Sequence, residues 1–322
     1  MKSVICFGEA LIDFLNINDE TNDPNSPKTY HQYPGGAPAN AAVAVAKLGG
    51  KSLFAGQVGN DVFGHFLQDS LEKYGVDTRF LEKHHTAKTA LAFVTLDTEG
   101  DRSFSFYRHE TADVLFKPQQ VKEEWFVDQP IFHYCSNTLT SKGIAASTRF
   151  SVEMARANKA LVSFDVNLRH NLWPDGRAHI NGVNEQVIAS DIIKFSKDEL
   201  EYLADGNSRQ YVDKILQNGP SLLVITDGDK AIEYFGNGFT GVVEVPNVKA
   251  VDTTAGGDAF SGALLFSLSQ LQDPFATLKD TMLLPALLKF AAACGGHTVT
   301  RPGAFPALPE FDDVKTDWPK GL

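Results

Sequence analysis

Short apolar runs, each followed by a longer segment of helical character, recur along most of the chain. The runs that predict strands lie at 3–7, 52–58, 131–135, 161–165, 191–195 and 222–226. The segments that predict helices include 37–48, 63–74, 258–270 and 283–294. Strands that alternate with helices favour a mostly parallel sheet with helices on both faces. The pattern therefore predicts an α/β fold.

Two segments interrupt this alternation. Residues 89–97 and 102–108 flank a short turn, and their alternating side chains predict a β-hairpin. Residues 16–34 are polar and contain many Asn, Asp, Pro and Ser, which is typical of a loop or an edge-strand excursion. We expect the segments at about 12–34 and 89–108 to form a small β-sheet lid over one edge of the site.

The composition narrows the classes of protein that the chain can represent. At 322 residues, 43% of them hydrophobic, the chain is long enough to bury a sizeable core in one large domain or two smaller ones. A net charge of −11 argues against a surface for nucleic acid or for an anionic membrane. ATP remains a plausible ligand, because backbone N–H groups and a few cations in a cleft suffice to bind phosphate.

The cysteines and the N-terminal segment indicate the compartment. Cys6, Cys135 and Cys294 are far apart and odd in number, so we expect reduced thiols in a cytoplasmic protein, with no disulfide framework. The apolar stretch at 4–15 is broken by acidic residues. It has no basic segment before it, and we expect neither a signal peptide nor a membrane span there.

The strongest chemical signal is the segment at 251–263, a turn of small residues that leads into an apolar helix. The N–H groups and the dipole at a helix N-terminus favour anions, and small side chains let a phosphate approach the backbone closely. Asp258 falls in the first turn, where a carboxylate can accept the proton of an attacking hydroxyl. The alternative is an ordinary Asp N-cap after a glycine-rich entry, and spacing alone does not separate the two.

Polar residues near other predicted element ends suggest a sugar site. Gly35 and Gly36 permit a tight turn, and Asn40 offers both a donor and an acceptor to a polyol, although an ordinary loop-to-helix junction would look the same. Asp13 follows the first strand, and ligands of open α/β sheets bind beyond the carboxyl ends of strands. The alternative for Asp13 is a solvated loop carboxylate.

Two further strand ends carry weaker signals. Arg169, in the Asp-x-Asn-x-Arg sequence at 165–169, suits a sugar or phosphate contact, and a surface ion pair is the alternative. Thr226 and Gly228 suit a nucleotide phosphate or ribose, and a plain β-turn is the alternative. The sequence contains neither a Gly-Lys-Ser/Thr phosphate loop nor a His-Glu-x-x-His pattern, so we expect no structural metal.

Together these segments resemble the ribokinase-like carbohydrate kinases, also called the phosphofructokinase-B family, from residue 4 to about 309. One family signature runs from Gly35 through 59–64, and the second covers 252–262. The segments that are most similar to fructokinases lie at 37–40, 89–94, 102–108, 165–169 and 172–173. The resemblance implies a single domain over 1–322, a three-layer sandwich with a mostly parallel central sheet and a small β-sheet lid. It implies ATP-dependent phosphorylation of the 6-hydroxyl of D-fructose.

The resemblance also implies a role for each matching residue. Asp258 would take the proton of the primary hydroxyl. The anion hole for the transferring phosphoryl group would consist of Ala255, Gly256 and Gly257. The residues that would hold the sugar are Asp13, Gly35, Gly36 and Asn40, with Arg108, Asn137 and Arg169 as further candidates.

The nucleotide and the metals are implied in the same way. Ser196 and Glu199 occupy family positions that serve the triphosphate and its Mg²⁺ through water. The nucleotide itself would be contacted by Thr226, Gly228 and Gly257. In some relatives a monovalent cation, K⁺ here, binds at the positions matched by Asp252, Thr254, Thr298, Arg301, Gly303 and Ala307.

The sequence departs from the family pattern in three places. Ala255-Gly256 replaces the usual Gly-Ala order, and if position 255 needs a backbone angle that glycine favours, alanine costs about 1 kcal/mol. Ser196 replaces the commoner Asn, which weakens the inference about the metal-bound water. Ala231 replaces a glycine of the nucleotide loop.

Several alternatives stay open at this stage. A 2-keto-3-deoxygluconate kinase of the same fold would also use arginines such as Arg108 and Arg169, because they suit a substrate carboxylate. A non-catalytic sugar-binding regulator is the alternative from another class. Relatives often dimerise through the lid, so a homodimer is expected, and a monomer with a covered lid is the alternative. Sugar and ATP are the expected partners.

Overall fold

The computed structural model of the protein describes residues 1–17, 27–96 and 102–321. Within these residues it contains thirteen strands and ten α-helices. The strands are β1 (Ser3–Gly8), β2 (Leu11–Ile17), β3 (Thr29–Gly35), β4 (Lys51–Gly59), β5 (Asp77–His84), β6 (Leu91–Leu96), β7 (Arg102–Tyr107), β8 (Ile131–Cys135), β9 (Leu161–Asp165), β10 (Ile192–Ser196), β11 (Leu222–Asp227), β12 (Lys230–Gly236) and β13 (Phe239–Val243). The helices are α1 (Ala37–Lys47), α2 (Val62–Lys73), α3 (Lys142–Ala157), α4 (Ile180–Ala189), α5 (Lys197–Ala204), α6 (Ser208–Leu216), α7 (Gly256–Ser269), α8 (Pro274–Thr277), α9 (Leu284–Val299) and α10 (Phe311–Val314).

The central sheet has nine strands in the order β13-β12-β11-β10-β9-β8-β1-β4-β5. The strands from β5 to β11 in this order pair in parallel, and β12 and β13 add an antiparallel hairpin at one edge. The mostly parallel sheet predicted from the alternation is thus confirmed. Parallel strands place their carboxyl ends at one edge of a sheet, and this edge is where the polar residues after the strands come together.

Two apolar layers cover the faces of this sheet. Helices α1, α2, α7 and α9 pack on one face, and helices α3 to α6 pack on the other. Strands β8 and β9 are buried along their whole length, as their uninterrupted apolar sequences require for strands covered on both sides. The predicted three-layer arrangement is therefore confirmed.

The lid is a separate four-stranded sheet in the order β3-β2-β6-β7. Its strands come from the two segments expected to form it, and residues 18–26 and 97–101 of those segments lie outside the described part of the chain. The inner face carries Phe104 and Phe106. The outer face carries four aromatic residues, which we call the outer aromatic patch: Phe14, Tyr30, Phe93 and Tyr107. The ring of Phe93 contacts each of the other three rings.

The structure differs from the predicted elements in two ways. Strands β5, β12 and β13 were not predicted. Strands β5 and β12 mix charged and apolar residues, β13 is a short strand interrupted by Gly241, and all three lie at or near the sheet edges. Helix α9 was predicted to stop at residue 294, before Gly295-Gly296, yet it continues to Val299. A Cβ at Gly295 would lie 3.1 Å from the carbonyl oxygen of Gly256, so this glycine permits close packing of α9 on α7 and does not end the helix.

Two further observations concern the helices and the cysteines. Among the described residues no helix combines the length and the hydrophobicity needed to cross a bilayer. Cys6, Cys135 and Cys294 are all buried, and their thiols are free.

Candidate active site

A cavity of about 380 Å³ lies between the inner face of the lid and the carboxyl ends of β1, β8, β9, β10 and β11. Residues predicted from widely separated segments meet in its wall. The predicted site residues that line it are Asp13, Gly36, Asn40, Asn137, Arg169, Ser196, Glu199, Thr226, Thr254, Ala255, Gly257 and Asp258. Residues to which the sequence assigned no role of their own also line it, among them Glu9, Asp165, Asn167 and Lys194.

The N-terminus of α7 opens into this cavity. Helix α7 begins at Gly256, after Ala255 in the left-handed conformation at φ 59° and ψ 7°. The first N–H groups of a helix have no acceptor within it, so those at Gly257 and Asp258 are available to an anion. Position 255 therefore has the backbone conformation that glycine favours. Alanine at this position costs about 1 kcal/mol relative to glycine.

Asp258 is half-buried in the cavity wall and bonds to a neutral partner. Its Oδ2 accepts a hydrogen bond of 2.7 Å from Nδ2 of Asn40. Burial raises the pKa of Asp258 to about 6, although the bond from Asn40 lowers it. The alternative that Asp258 caps its helix is wrong, because the N-cap is Ala255. The carboxylate is therefore placed to exchange a proton with a ligand near neutral pH.

A buried ion pair lies beside the helix N-terminus. Lys194 Nζ contacts both carboxylate oxygens of Asp165 at 3.0 Å, and Ser261 donates to the same carboxylate. Burial lowers the pKa of Lys194, but Asp165 and Glu199 more than offset this, so the pKa is raised and the ammonium stays charged. A Cβ added at Gly257 would lie 3.3 Å from Nζ. Lys194 thus brings positive charge to the place where the helix offers its N–H groups.

Lys194 was missed because it lies within an apolar run that predicts a buried strand. The signal that was available is its position, two residues before the end of β10, at the sheet edge where ligands of α/β proteins bind. A charged residue inside such a run needs a partner to be buried, and Asp165 at the end of the neighbouring strand β9 is that partner.

The opposite end of the cavity combines the lid with the end of β1. Asp13 on β2 lines the cavity, and Gly35 on β3 pairs near it. A Cβ at Gly35 would overlap Asp13 Oδ2 at 2.0 Å, so only glycine lets this carboxylate take its position. Glu9 is buried at the bottom of the same corner, where its Oε1 accepts from Nδ2 of Asn137 at 2.9 Å.

Besides Gly35, three residues predicted to hold the sugar, the phosphoryl group or the nucleotide do not line the cavity. Arg108 is behind Asn137 and pairs with Asp113. Gly256 packs against Val299 and contributes its backbone to the turn. Gly228 lies in the turn between β11 and β12, at φ 59°.

The predicted nucleotide residues lie at the ends of β10 and β11. Ser196 and Glu199 form a capping box at the start of α5, and Glu199 also accepts from the N–H of Leu168 at 2.7 Å. These bonds hold the Glu199 carboxylate in the cavity wall, and burial raises its pKa. Thr226 lines the cavity at the end of β11.

The predicted cation positions are only partly gathered. Asp252 accepts from the N–H groups of Thr254 and Gly303, both at 2.8 Å, and these three residues border a cavity of about 20 Å³ next to Asp13. The other three lie outside it. Thr298 bonds to the carbonyl of Cys294 within α9, Arg301 is exposed, and Ala307 lies buried in a 3₁₀ turn. Within the described residues no three Asp, Glu, His or Cys side chains cluster as a metal site.

The nine-stranded sheet, the lid and the cavity between them define a ribokinase-like α/β protein. The pfkB family of carbohydrate kinases matches the chain over residues 1–310, and the chain belongs to this family. It is 41% identical to the probable fructokinase-3 of Arabidopsis thaliana over 311 residues. This alignment covers 95% of this chain and 88% of that relative.

Two solved structures are similar over nearly the whole chain. The fructokinase of Xylella fastidiosa with bound ATP superposes with a TM-score of 0.91 at 39% identity, covering 98% of this chain and 97% of the other. A double mutant of the Vibrio cholerae O395 fructokinase, with fructose, ADP and a potassium ion bound, gives a TM-score of 0.87 at 31% identity and covers 99% of both chains.

Proposed function

We propose that the protein is a fructokinase, which transfers the γ-phosphoryl group of ATP to the 6-hydroxyl of D-fructose. The observation that carries the proposal is the position of the Asp258 carboxylate, in the wall of the cavity and within the first turn of α7. The fructokinase relatives, one with ATP bound and one with fructose and ADP bound, support the choice of substrates.

In the proposed reaction, the 6-hydroxyl of the sugar loses its proton to Asp258 as its oxygen attacks the γ-phosphorus. The bond to the bridging oxygen of ADP breaks as the new P–O bond forms. The N–H groups of Gly257 and Asp258, at the turn formed by Ala255 and Gly256, bind the oxygens of the transferring group, and Lys194 offsets their charge. Asp13, Asn40 and Asn137 hold the sugar hydroxyls. The lid keeps water from competing with the sugar for the phosphoryl group.

The residues fit Mg²⁺ held mainly by water and phosphate oxygens. Glu199 is the candidate for a water-mediated contact with Mg²⁺, because this ion commonly keeps several waters beside one or two carboxylates. When bound, Mg²⁺ neutralises charge on the triphosphate. For K⁺ we propose a site at Asp252, Thr254 and Gly303. The Asp252 carboxylate accepts from the backbone N–H groups of the other two residues and so holds their two backbone segments together. Thr298, Arg301 and Ala307 would contribute through their backbone carbonyls.

The proposed substrate is tested by ADP release with a panel of fructose, ribose, 2-keto-3-deoxygluconate and a nucleoside. We expect the highest kcat/KM for fructose. A higher value for 2-keto-3-deoxygluconate would replace the proposed substrate and keep the kinase. Sugar binding without ADP release from any of the four would support the non-catalytic alternative.

The pH dependence of kcat/KM tests the role of Asp258. The pKa of Asp258 is raised from 3.8 to about 6 by burial, so the proton-accepting form predominates above pH 6 and is lost below it. We expect kcat/KM for fructose to fall about tenfold per pH unit below pH 6. In Asn40→Ala, which lacks the bond that lowers this pKa, the fall begins at a higher pH. If kcat/KM of the wild-type protein began to fall only below pH 5, the assignment of Asp258 as the proton acceptor would be contradicted.

We propose further that the protein dimerises through the outer aromatic patch of the lid. Tyr107 is 64% exposed and contacts the ring of Phe93, so the patch presents apolar area that a partner would cover. We expect a dimer by light scattering and a monomer for Tyr107→Asp, since a charge at a packed apolar interface is costly. Phe150→Asp, at an exposed aromatic on α3, is the matched control and should leave the dimer intact. A monomeric wild-type protein would refute the proposal.

A further inference from the structure

Arg108 is a buried cation surrounded by acceptors, next to the sugar end of the cavity. Its side chain is 4% exposed. Nε donates to Asp113, and Nη1 donates to the carbonyl of Asn137 at 3.0 Å and to Thr140 Oγ1 at 3.3 Å. Nη2 lies 4.0 Å from Oε2 of Glu9. One guanidinium is therefore flanked by two carboxyl groups.

Asp113 is the carboxylate that engages Arg108 directly. Its side chain is 2% exposed, and Oδ1 accepts a second hydrogen bond, of 2.6 Å, from the hydroxyl of Thr111. A buried cation without a partner attracts any anion that can reach it. Because Asp113 is part of the fold, the opposite charge that Arg108 needs is present before a substrate arrives.

Of the side chains in this cluster, only two that offer acceptor oxygens line the cavity. Glu9 and Asn137 line the cavity, whereas Arg108 and Asp113 lie behind them. Asn137 gives its Nδ2 to Glu9, and its Oδ1 is buried without a hydrogen-bond partner among the described residues. Oxygens of this kind suit the hydrogens of sugar hydroxyls, but a substrate carboxylate would meet like charge at Glu9. The one donor of the cluster without a hydrogen-bond partner among the described residues is Arg108 Nη2, which is buried and faces Glu9 Oε2 at 4.0 Å.

The two other cations of the cavity do not reverse this balance. Lys194 is paired with Asp165 beside the helix N-terminus. Arg169 is exposed, so that solvent and salt screen its charge.

We propose that Asp113 determines specificity: by neutralising Arg108 behind the cavity wall, it makes the site select an uncharged sugar over sugar acids. The inference rests on the proposed sugar kinase function and adds to it a residue that does not touch the substrate. It also explains why Arg108, which from its residue type suits a substrate carboxylate, is not available for one.

The test uses a graded series of charge at this cluster. Asp113→Asn and Glu9→Gln each remove one carboxylate without changing shape, and the double variant removes both. For each protein, kcat/KM is measured with fructose and with 2-keto-3-deoxygluconate at one ionic strength. We expect the ratio of acid to neutral substrate to rise at least about tenfold in Asp113→Asn and further in the double variant. Asp175→Asn, at a residue with an 80% exposed side chain, is the control and should not change the ratio.

Equal losses on both substrates in Asp113→Asn would show a structural role only and overturn the inference. Should that variant fail to fold, as judged by thermal unfolding, Glu9→Gln tests the other side of the same guanidinium. The wild-type protein gives a measurement free of folding effects: its KM for the acid must exceed that for fructose at least about tenfold and must fall as salt is added. Similar KM values would overturn the inference. A wild-type protein inactive on both sugars would instead refute the proposed function.

Discussion

Asp258→Asn is expected to lower kcat with fructose at least about 100-fold, because the amide cannot accept the proton of the attacking hydroxyl. Its shape is unchanged, and its side-chain oxygen can still accept from Asn40 at the distance seen in the structure. Sugar binding should therefore remain nearly intact. The measurements are kcat by ADP release and the dissociation constant for fructose by calorimetry.

Asp69→Asn is the matched control, since Asp69 is an exposed carboxylate on α2, away from the cavity. It should retain full activity. An Asp258→Asn protein that keeps more than a tenth of the wild-type kcat would rule out Asp258 as the base. A loss of fructose binding in parallel with kcat would instead indicate that the carboxylate holds the sugar.

Lys194→Met is expected to lower the free energy of unfolding by about 3–5 kcal/mol, because it leaves the buried carboxylate of Asp165 without its cation. The side chains of this pair are 13% and 4% exposed, so water compensates little. The same change removes positive charge beside Gly257, and we expect a loss of kcat in addition. Urea unfolding gives the first quantity, and single-turnover phosphoryl transfer gives the second.

The double variant Asp165→Asn with Lys194→Met separates the two effects. It removes both charges, so most of the stability should return, but the phosphate still lacks its cation and kcat should stay low. Lys197→Met is the control from an exposed pair, at 3.6 Å from Asp227, and should change stability by less than about 1 kcal/mol. Recovery of kcat together with stability would show that Lys194 serves the fold alone.

The parallel core of the fold could be predicted because its strands are covered on both sides. Strands β8 and β9 have the predicted bounds, 131–135 and 161–165, since buried strands require uninterrupted apolar runs. Strand β5 carries charged residues along one side and pairs with a single neighbour, β4, so its sequence gives no such run. In the hairpin at the other edge, β12 also mixes charged and apolar residues, whereas β13 is a five-residue strand interrupted by Gly241, so neither gives a continuous apolar run.

The site could be predicted where chemistry and local sequence coincide. Asp258 and Asn40 stand beside glycine-rich turns at helix starts, and both line the cavity. Glu9 and Lys194 could not be predicted, because their surroundings depend on distant partners. Glu9 meets Asn137 across 128 positions of sequence, and Lys194 meets Asp165 across 29. Periodicity identifies which strands are buried but carries no information about which side chains pair across them.

The contact between Gly295 and the carbonyl of Gly256 links the C-terminal part of the chain to catalysis without touching a ligand. A Cβ at 295 would lie 3.1 Å from this carbonyl, so a side chain there requires α7 or α9 to shift by a few tenths of an ångström, at the turn whose N–H groups point into the cavity. Inactive variants of this protein can therefore arise more than thirty positions away from the reacting groups in sequence, with every residue around the sugar and the nucleotide unchanged.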